Sequence, residues 1–339
     1  EGRELLKPFD VFVSENGETY RYLINNANFY SYVKVVKIDS TTGKTIPASG
    51  IGFHIYDPSG NQIQMTFTYP TVTTIDAFYT DGDGMLIRPE KLGDGKVNSL
   101  VEVSAPYGYV LNSDPVYFDI TEDNSTEENA VTVVIVEKEN APQMGVINVE
   151  KTGEYLASVV DTKDSKRLVY AVGGLAGSEY TVTAAEDIYT PGGTLRYGKD
   201  EVVATLVTKE DGKAVTEPLF LGRYHVVETK APYGMILNPT VQTVELTYAG
   251  QEVEITETST GFYNERQKVE IDLKKVMEQN EVFGVGSNGE ITSVNFGLFA
   301  AEEIVAADGS SIPAGWVLEV VECDENGYPA FGTDLPLGA

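Results

Sequence analysis

A chain of 339 residues has room for two or three domains, and 52 acidic against 24 basic residues give it a formal charge of −28. That balance repels nucleic acid and anionic membrane surfaces, so neither is an expected partner. One cysteine (Cys323) and two histidines (His54, His225) leave no material for an intrachain disulfide, a cysteine-rich metal site or a histidine-based catalytic centre, and no cofactor is expected.

No apolar run is long enough to cross a bilayer, and the acidic start EGRELL is not a signal peptide. The chain therefore reads as the middle of a longer protein. From the N-terminus, residues 1–32 end in the aromatic stretch YRYLINNANFYSY and read as the last strands of a preceding unit. Short period-2 runs follow: VKVVKID (Val33–Asp39), GIGFHIYD (Gly50–Asp57), a long insertion from Met65 to Tyr79, the polar turn TDGDG, the strand LVEVS, the box APYGYVLN (Ala105–Asn112), PVYFDIT, and TVVIVEKEN ending at Asn140. Alternating runs separated by Gly, Asp, Asn and Pro predict an all-β sandwich or barrel.

The same order then repeats. GVINVEK ends at Lys151, EYTVTAA and the turn KEDG follow, and YHVVETK leads into a second box, APYGMILN (Ala231–Asn238), before STGFYNERQ. A third round begins with EIDLKK at Lys275, NFGLFAA and DENG, and stops at DLPLGA, which matches EPLFLGRY just ahead of the glutamate strand of the second unit. The expected units are therefore 1–32, 33–142, 143–266 and 267–339, whole in the middle and incomplete at both ends. AAEDI (Ala184–Ile188) and AAEEI (Ala300–Ile304) each predict a single helical turn, and the Gly turns are expected to close hairpins.

Three lysines each have an asparagine eleven residues upstream: Asn26 before Lys37, Asn140 before Lys151, Asn264 before Lys275. Each whole unit thus carries a lysine on its first strand (Lys37, Lys151), a glutamate three residues before the box (Glu102, Glu228) and an asparagine on its last strand (Asn140, Asn264). First and last strands of a sandwich are commonly neighbours, which would bring the three together in the core. Burial favours the neutral amine and the neutral acid. A neutral amine is a nucleophile, a carboxamide is an electrophile, and a carboxyl group can shuttle the proton to departing ammonia. The expected product is a Lys–Asn isopeptide bond. Against this stands the ordinary reading of a lysine at a strand end as solvated, or as half of a surface ion pair.

The runs VKVVKID, GIGFHIYD, TDGDG and VEVSAPYGYVL, with VINVEKTG, EYTVTAAEDI, FLGRYHVVETKAPYGMIL and FYNERQ, resemble the Cna-B/SpaA-type domains of Gram-positive surface proteins and pilins. The resemblance covers nearly the whole chain. It implies tandem immunoglobulin-like β-sandwich domains of the reverse-Ig, Cna-B type, and autocatalytic isopeptide bonds. Carried over, these join Lys37 to Asn140 with Glu102 as promoter, and Lys151 to Asn264 with Glu228. Aligning VVIVE on the family's ending offers Glu137 as a second acceptor candidate in the first whole unit. Asn26 and Lys275 are candidates whose partners lie outside the chain.

A stalk segment of an adhesin or pilin-like protein, extracellular and anchored to the cell wall, with like domains as its partners, is the function so implied. Two rivals are a module that binds a host extracellular-matrix protein or a glycan through the Met65–Tyr79 insertion, and an enzyme with an accessory β array. GVGSNG (Gly284–Gly289) is read as a loop before a strand, since a nucleotide-binding fingerprint needs a following helix.

Overall fold

The computed structural model describes residues 10–12, 16–17, 19–21, 28–162, 166–286 and 288–337. Strands account for nearly all the regular structure among them, with one 3₁₀ turn at Glu290–Ser293. Two β-sandwiches in series carry the chain, followed by a smaller set of hairpins.

In the first sandwich the opening strand, Tyr30–Asp39, alternates buried and half-exposed side chains, as a strand with one face on a core must. It starts ahead of the expected boundary at 33, and Phe29 joins the core of this unit. It pairs in parallel with the last strand, Val131–Asn140, and antiparallel with Met85–Ile87. The facing sheet runs Phe78–Tyr79, Gly52–Tyr56, Gly95–Ser104, Val116–Ile120. Val33, Val35, Ile51, Phe53, Ile55, Leu100 and Val136 fill the space between the sheets.

The second sandwich repeats this plan. Met144–Asp161 pairs in parallel with Ile255–Asn264, and Glu179–Ala184, Val202–Val207, Gly222–Lys230 and Gln242–Leu246 make the facing sheet. The opening strand runs on beyond the sandwich and forms a long hairpin with Lys166–Gly174. That hairpin meets the third unit: the amides of Ala307 and Asp308 donate to the carbonyls of Leu156 and Ala157 at 3.0 and 3.1 Å. The third unit consists of Asn295–Phe299 paired with Val317–Glu322, and Ile304–Val305 paired with Ser311–Ile312.

Three local expectations are corrected. AAEDI and AAEEI form bends between strands rather than helical turns, because Ala184 and Ile188 are both core residues and the chain must cross between them in extended form. The turns TDGDG and KEDG join strands of opposite sheets, so they are corners of the sandwich and do not close hairpins. GVGSNG is followed first by the 3₁₀ turn and then by the strand.

The two sandwiches meet through a buried polar joint. Asp39 accepts hydrogen bonds from Tyr109 Oη at 2.7 Å and from Thr41, and pairs with Arg196 of the second unit at 2.6 Å. The Arg196 guanidinium also lies 4.0 Å from the centre of the Phe220 ring. Gln143 and Gln251 bridge the other side through backbone groups of Gly250, Val253 and Ala105. Burial alone raises the Asp39 carboxyl; hydrogen bonds from Thr41 and Tyr109 and the Arg196 charge together hold it below its ordinary 3.8. A depressed acid contributes stability that is full above its unfolded value and is lost as pH falls through the folded one. Asp39→Ala strands a buried guanidinium and is expected to destabilise the joint by about 3 kcal/mol. A broadened interdomain distance distribution in small-angle scattering checks this; an unchanged one refutes it.

Candidate functional site

Parallel pairing of first and last strands sets the site. Lys37 lies opposite Lys138 and Asp39 opposite Asn140, so Asn140 sits one side-chain period further along the same inward face as Lys37. In the second unit Lys151 lies opposite Phe262 and Gly153 opposite Asn264. Glu102 and Glu228 reach the same point from the middle of the facing sheet, on strands 95–104 and 222–230. All six residues are at most 1 % exposed.

In the first unit Lys37 Nζ lies 3.0 Å from Glu102 Oε1, and Asn140 Nδ2 donates to Glu102 Oε2 at 2.7 Å and to the Val110 carbonyl at 2.5 Å. In the second, Lys151 Nζ lies 3.1 Å from Glu228 Oε1, and Asn264 Nδ2 stands 2.9 Å from both carboxylate oxygens. The lysine–glutamate contacts are close but poorly aligned. Among the described residues, Nζ of both lysines and Oδ1 of both asparagines have no well-directed hydrogen-bond partner. Buried polar atoms in native proteins are nearly always satisfied, and leaving one unmade costs about 1–3 kcal/mol. In both units the amine has only the misaligned carboxylate contact and the carboxamide oxygen accepts no hydrogen bond from the described residues.

Burial lowers the Lys37 ammonium to about 8 against the pull of Glu102, and lowers Lys151 in the same way against Glu228. Each amine is therefore nearer to its nucleophilic form than a surface lysine.

Supporting groups that sequence reasoning did not single out also recur in both units. The backbone amide of each lysine donates to the glycine that ends the corner turn, Lys37 to Gly84 at 3.0 Å and Lys151 to Gly212 at 2.7 Å. A Cβ on Gly84 would fall 1.8 Å from the Ile46 carbonyl oxygen, and its φ of 74° is one that side-chain-bearing residues avoid, so glycine is required there. In each box, Pro106 or Pro232 opens a turn closed by the amide of Tyr109 or Met235, with Gly108 and Gly234 at positive φ. The turn swings the chain back so that the amide of Asn112 or Asn238 donates to the glutamate ten residues earlier, at 3.0 and 2.8 Å. The side chains of these asparagines donate to the carbonyl just before Asn140 or Asn264, that of Glu139 or Tyr263. Their signal was present in the sequence, as the identical last letter of APYGYVLN and APYGMILN.

The remaining candidates fare differently. Glu137 is exposed, on the outer face of the last strand, away from Glu102. Lys275 is half-buried in irregular chain, with its amide on the Gly327 carbonyl at 2.8 Å, and Asn26 lies outside the described residues. The Met65–Tyr79 insertion folds into a small hairpin whose Tyr69 and Val72 stand exposed at its tip. Cys323 is buried.

The SpaA family, described as a prealbumin-like fold domain, matches residues 31–134 and 170–260, more than half of the chain. Among solved structures, the Bacillus anthracis TIE protein shares 19 % identity over 92 % of this chain and 44 % of its own, with a TM-score of 0.50. The chain thus spans less than half of that protein's length, and the likeness is one of fold. The minor pilin GBS52 of Streptococcus agalactiae aligns at 14 % identity over 74 % of this chain and 100 % of its own, TM-score 0.26. The major pilin subunit BcpA of Bacillus cereus aligns at 13 % identity over 70 % and 100 %, TM-score 0.26. No curated protein matches the chain.

Proposed function

The chain belongs to the SpaA family of prealbumin-like fold domains, and on that premise we propose that it is a stalk segment of a Gram-positive surface adhesin or pilin-like protein, crosslinked internally by Lys37–Asn140 and Lys151–Asn264 isopeptide bonds. The observation that carries the reading is the repeated, fully buried Lys–Glu–Asn cluster in which the amine has only a misaligned carboxylate contact and the carboxamide oxygen has no hydrogen-bond partner among the described residues. Two separate residues are a poor way to fill such a site; one amide is a good one, because it removes the buried ammonium altogether.

The chemistry needs only these residues. The lysine amine attacks Cγ of the asparagine, a C–N bond forms, the Cγ–Nδ2 bond breaks, and ammonia leaves. Glu102 or Glu228, bonded to Nδ2, takes the proton from the attacking nitrogen and delivers it to the departing one. The fold supplies proximity, which is worth roughly 7–11 kcal/mol in well-oriented intramolecular reactions. Each site turns over once, so the protein is not an enzyme in the ordinary sense.

The bond would join the two strands that lead into and out of each sandwich. Tension along the chain loads those strands, and a covalent link between them carries it past the core. The polar joint ties one unit to the next. Placement on the outside of the cell, with like domains as neighbours, follows from the family rather than from the site.

The intact mass of the denatured protein tests the proposal. It is expected to fall short of the sequence mass by two ammonia molecules, and an unshifted mass refutes the crosslinks.

A further inference from the structure

The two sites differ at two positions: Ser178 donates to Glu228 at 3.1 Å where the first unit has Ile51, and the residue opposite the reactive lysine differs in charge. Directly across from Lys37 stands a second buried lysine, Lys138, whereas Phe262 stands across from Lys151 and packs on Tyr180 with ring centres 4.9 Å apart. Lys138 Nζ donates to the Asp114 carbonyl at 2.5 Å. The first site therefore holds two amines and one carboxylate, and the second holds one of each.

We propose that Lys138 is an electrostatic positioning residue of the first site: the extra buried cation opposite Lys37 makes one proton leave the pocket before Lys37 can attack, so that Glu102 acts as a base and not as the acid of a lysine–glutamate proton pair. The inference rests on the crosslink proposed above.

The charge balance runs differently in the two sites. In the second, one proton passes from the Lys151 ammonium to Glu228, the neutral amine attacks, and Glu228 gives its proton to the departing nitrogen while taking the one the attacking nitrogen loses, so that amide, ammonia and a neutral Glu228 remain. No exchange with solvent precedes attack. In the first, moving that proton onto Glu102 would remove the carboxylate from a pocket that still encloses the Lys138 cation, which is costly. Releasing it to solvent leaves Lys37 neutral, with Glu102 still a carboxylate and Lys138 still a cation in the same pocket. Lys37–NH₂ and the Asn140 carboxamide then give the Lys37–Asn140 amide and ammonia, with Glu102 and Lys138 unchanged in charge at the end.

The surroundings of these groups agree. Burial is the main influence lowering Lys37; Glu102 opposes it, Lys138 adds to the lowering, and Glu139 opposes it weakly. Lys138 itself is lowered by burial against Glu102 and Asp114. Asp39, on the same strand, is committed to Tyr109 and Arg196. Lys151 is lowered by burial and opposed by Glu228 alone.

Synthesis of the full chain in a cell-free system, followed by transfer to buffers from about pH 6 to about pH 9, separates the two cases. Samples are quenched in acid and digested, and the joined Lys37–Asn140 and Lys151–Asn264 peptides are quantified by mass spectrometry. The first bond is expected to form faster by up to tenfold per pH unit below the Lys37 titration, while the second shows a flat profile. Lys138→Met should flatten the first profile, and Lys138→Arg should keep its slope. Parallel profiles for the two bonds in the wild-type chain overturn the inference whatever the variants do. So does a retained slope in Lys138→Met with normal amide protection along strands 30–39 and 131–140. Absence of both joined peptides would instead refute the crosslinks themselves.

Discussion

Glu228→Gln is expected to leave the second unit without its crosslink and to lower its unfolding temperature by roughly 20 °C. A bond from Lys151 to Asn264 closes a loop of 113 residues (264 − 151). By the chain-entropy treatment used for disulfides, closing about 100 residues is worth about 4.7 kcal/mol. An unfolding entropy of about 2.1 cal/mol/K per residue converts that into roughly 20 °C for a domain of this size. The substitution also leaves the Lys151 ammonium facing a neutral amide in a site closed to water, which adds to the loss in the same direction. Calorimetry should show one transition displaced and the other in place, and the intact mass should retain the loss of a single ammonia. A mass still short by two, or an unmoved second transition, would sink the idea that Glu228 promotes a stabilising bond.

In the first unit the larger signature is in pH. Asn140→Leu removes the electrophile while keeping the site buried, so Lys37 stays a free amine. Its folded value of about 8 lies below the ordinary 10.5. A base with a depressed folded value is disfavoured in its charged form by folding, so the unfolded chain binds more protons between those two values. Stability of the variant should therefore rise as pH is raised from 8 to 10.5, by about 3 kcal/mol at most. In the crosslinked protein Lys37 is an amide, does not titrate, and contributes no such rise. Urea denaturation of both proteins across this range decides the matter, and equal pH dependence would mean that the wild-type lysine is free as well.

Much of this site could be read from the sequence because the chain is repetitive. A lone lysine at the end of a β-run is uninformative. Lys37, Lys151 and Lys275, each with an asparagine at one fixed distance, define a register that chance does not supply. The glutamates were legible through the boxes that follow them, since a Pro–Tyr–Gly turn is a landmark that survives differences in the flanking strands. The family's pattern then gave roles to positions that spacing had only aligned.

What escaped that reading depends on which strands become neighbours. Lys138 lies two residues before Asn140 in a run of alternating charge, VEKEN, and looks like a solvated strand end. It becomes a buried cation only because the last strand pairs in parallel with the first and places it opposite Lys37. Glu137 and Asn140 were rival acceptors on paper; a strand's period of two sends them to opposite faces, and the pairing decides which face is inside. Arg196 and Asp39 sit in different units, and no local pattern links them before the sandwiches are stacked.

The all-β class, the repeating unit and the Lys, Glu and Asn positions are legible in the chain alone, because alternation, turn residues and fixed spacings are local properties. Which faces are buried, how many charges each pocket encloses and how one unit seats on the next are settled only in three dimensions. Those outcomes follow from strand pairing and sheet stacking, which bring together residues about a hundred positions apart, and desolvation there moves an otherwise ordinary lysine toward its neutral form.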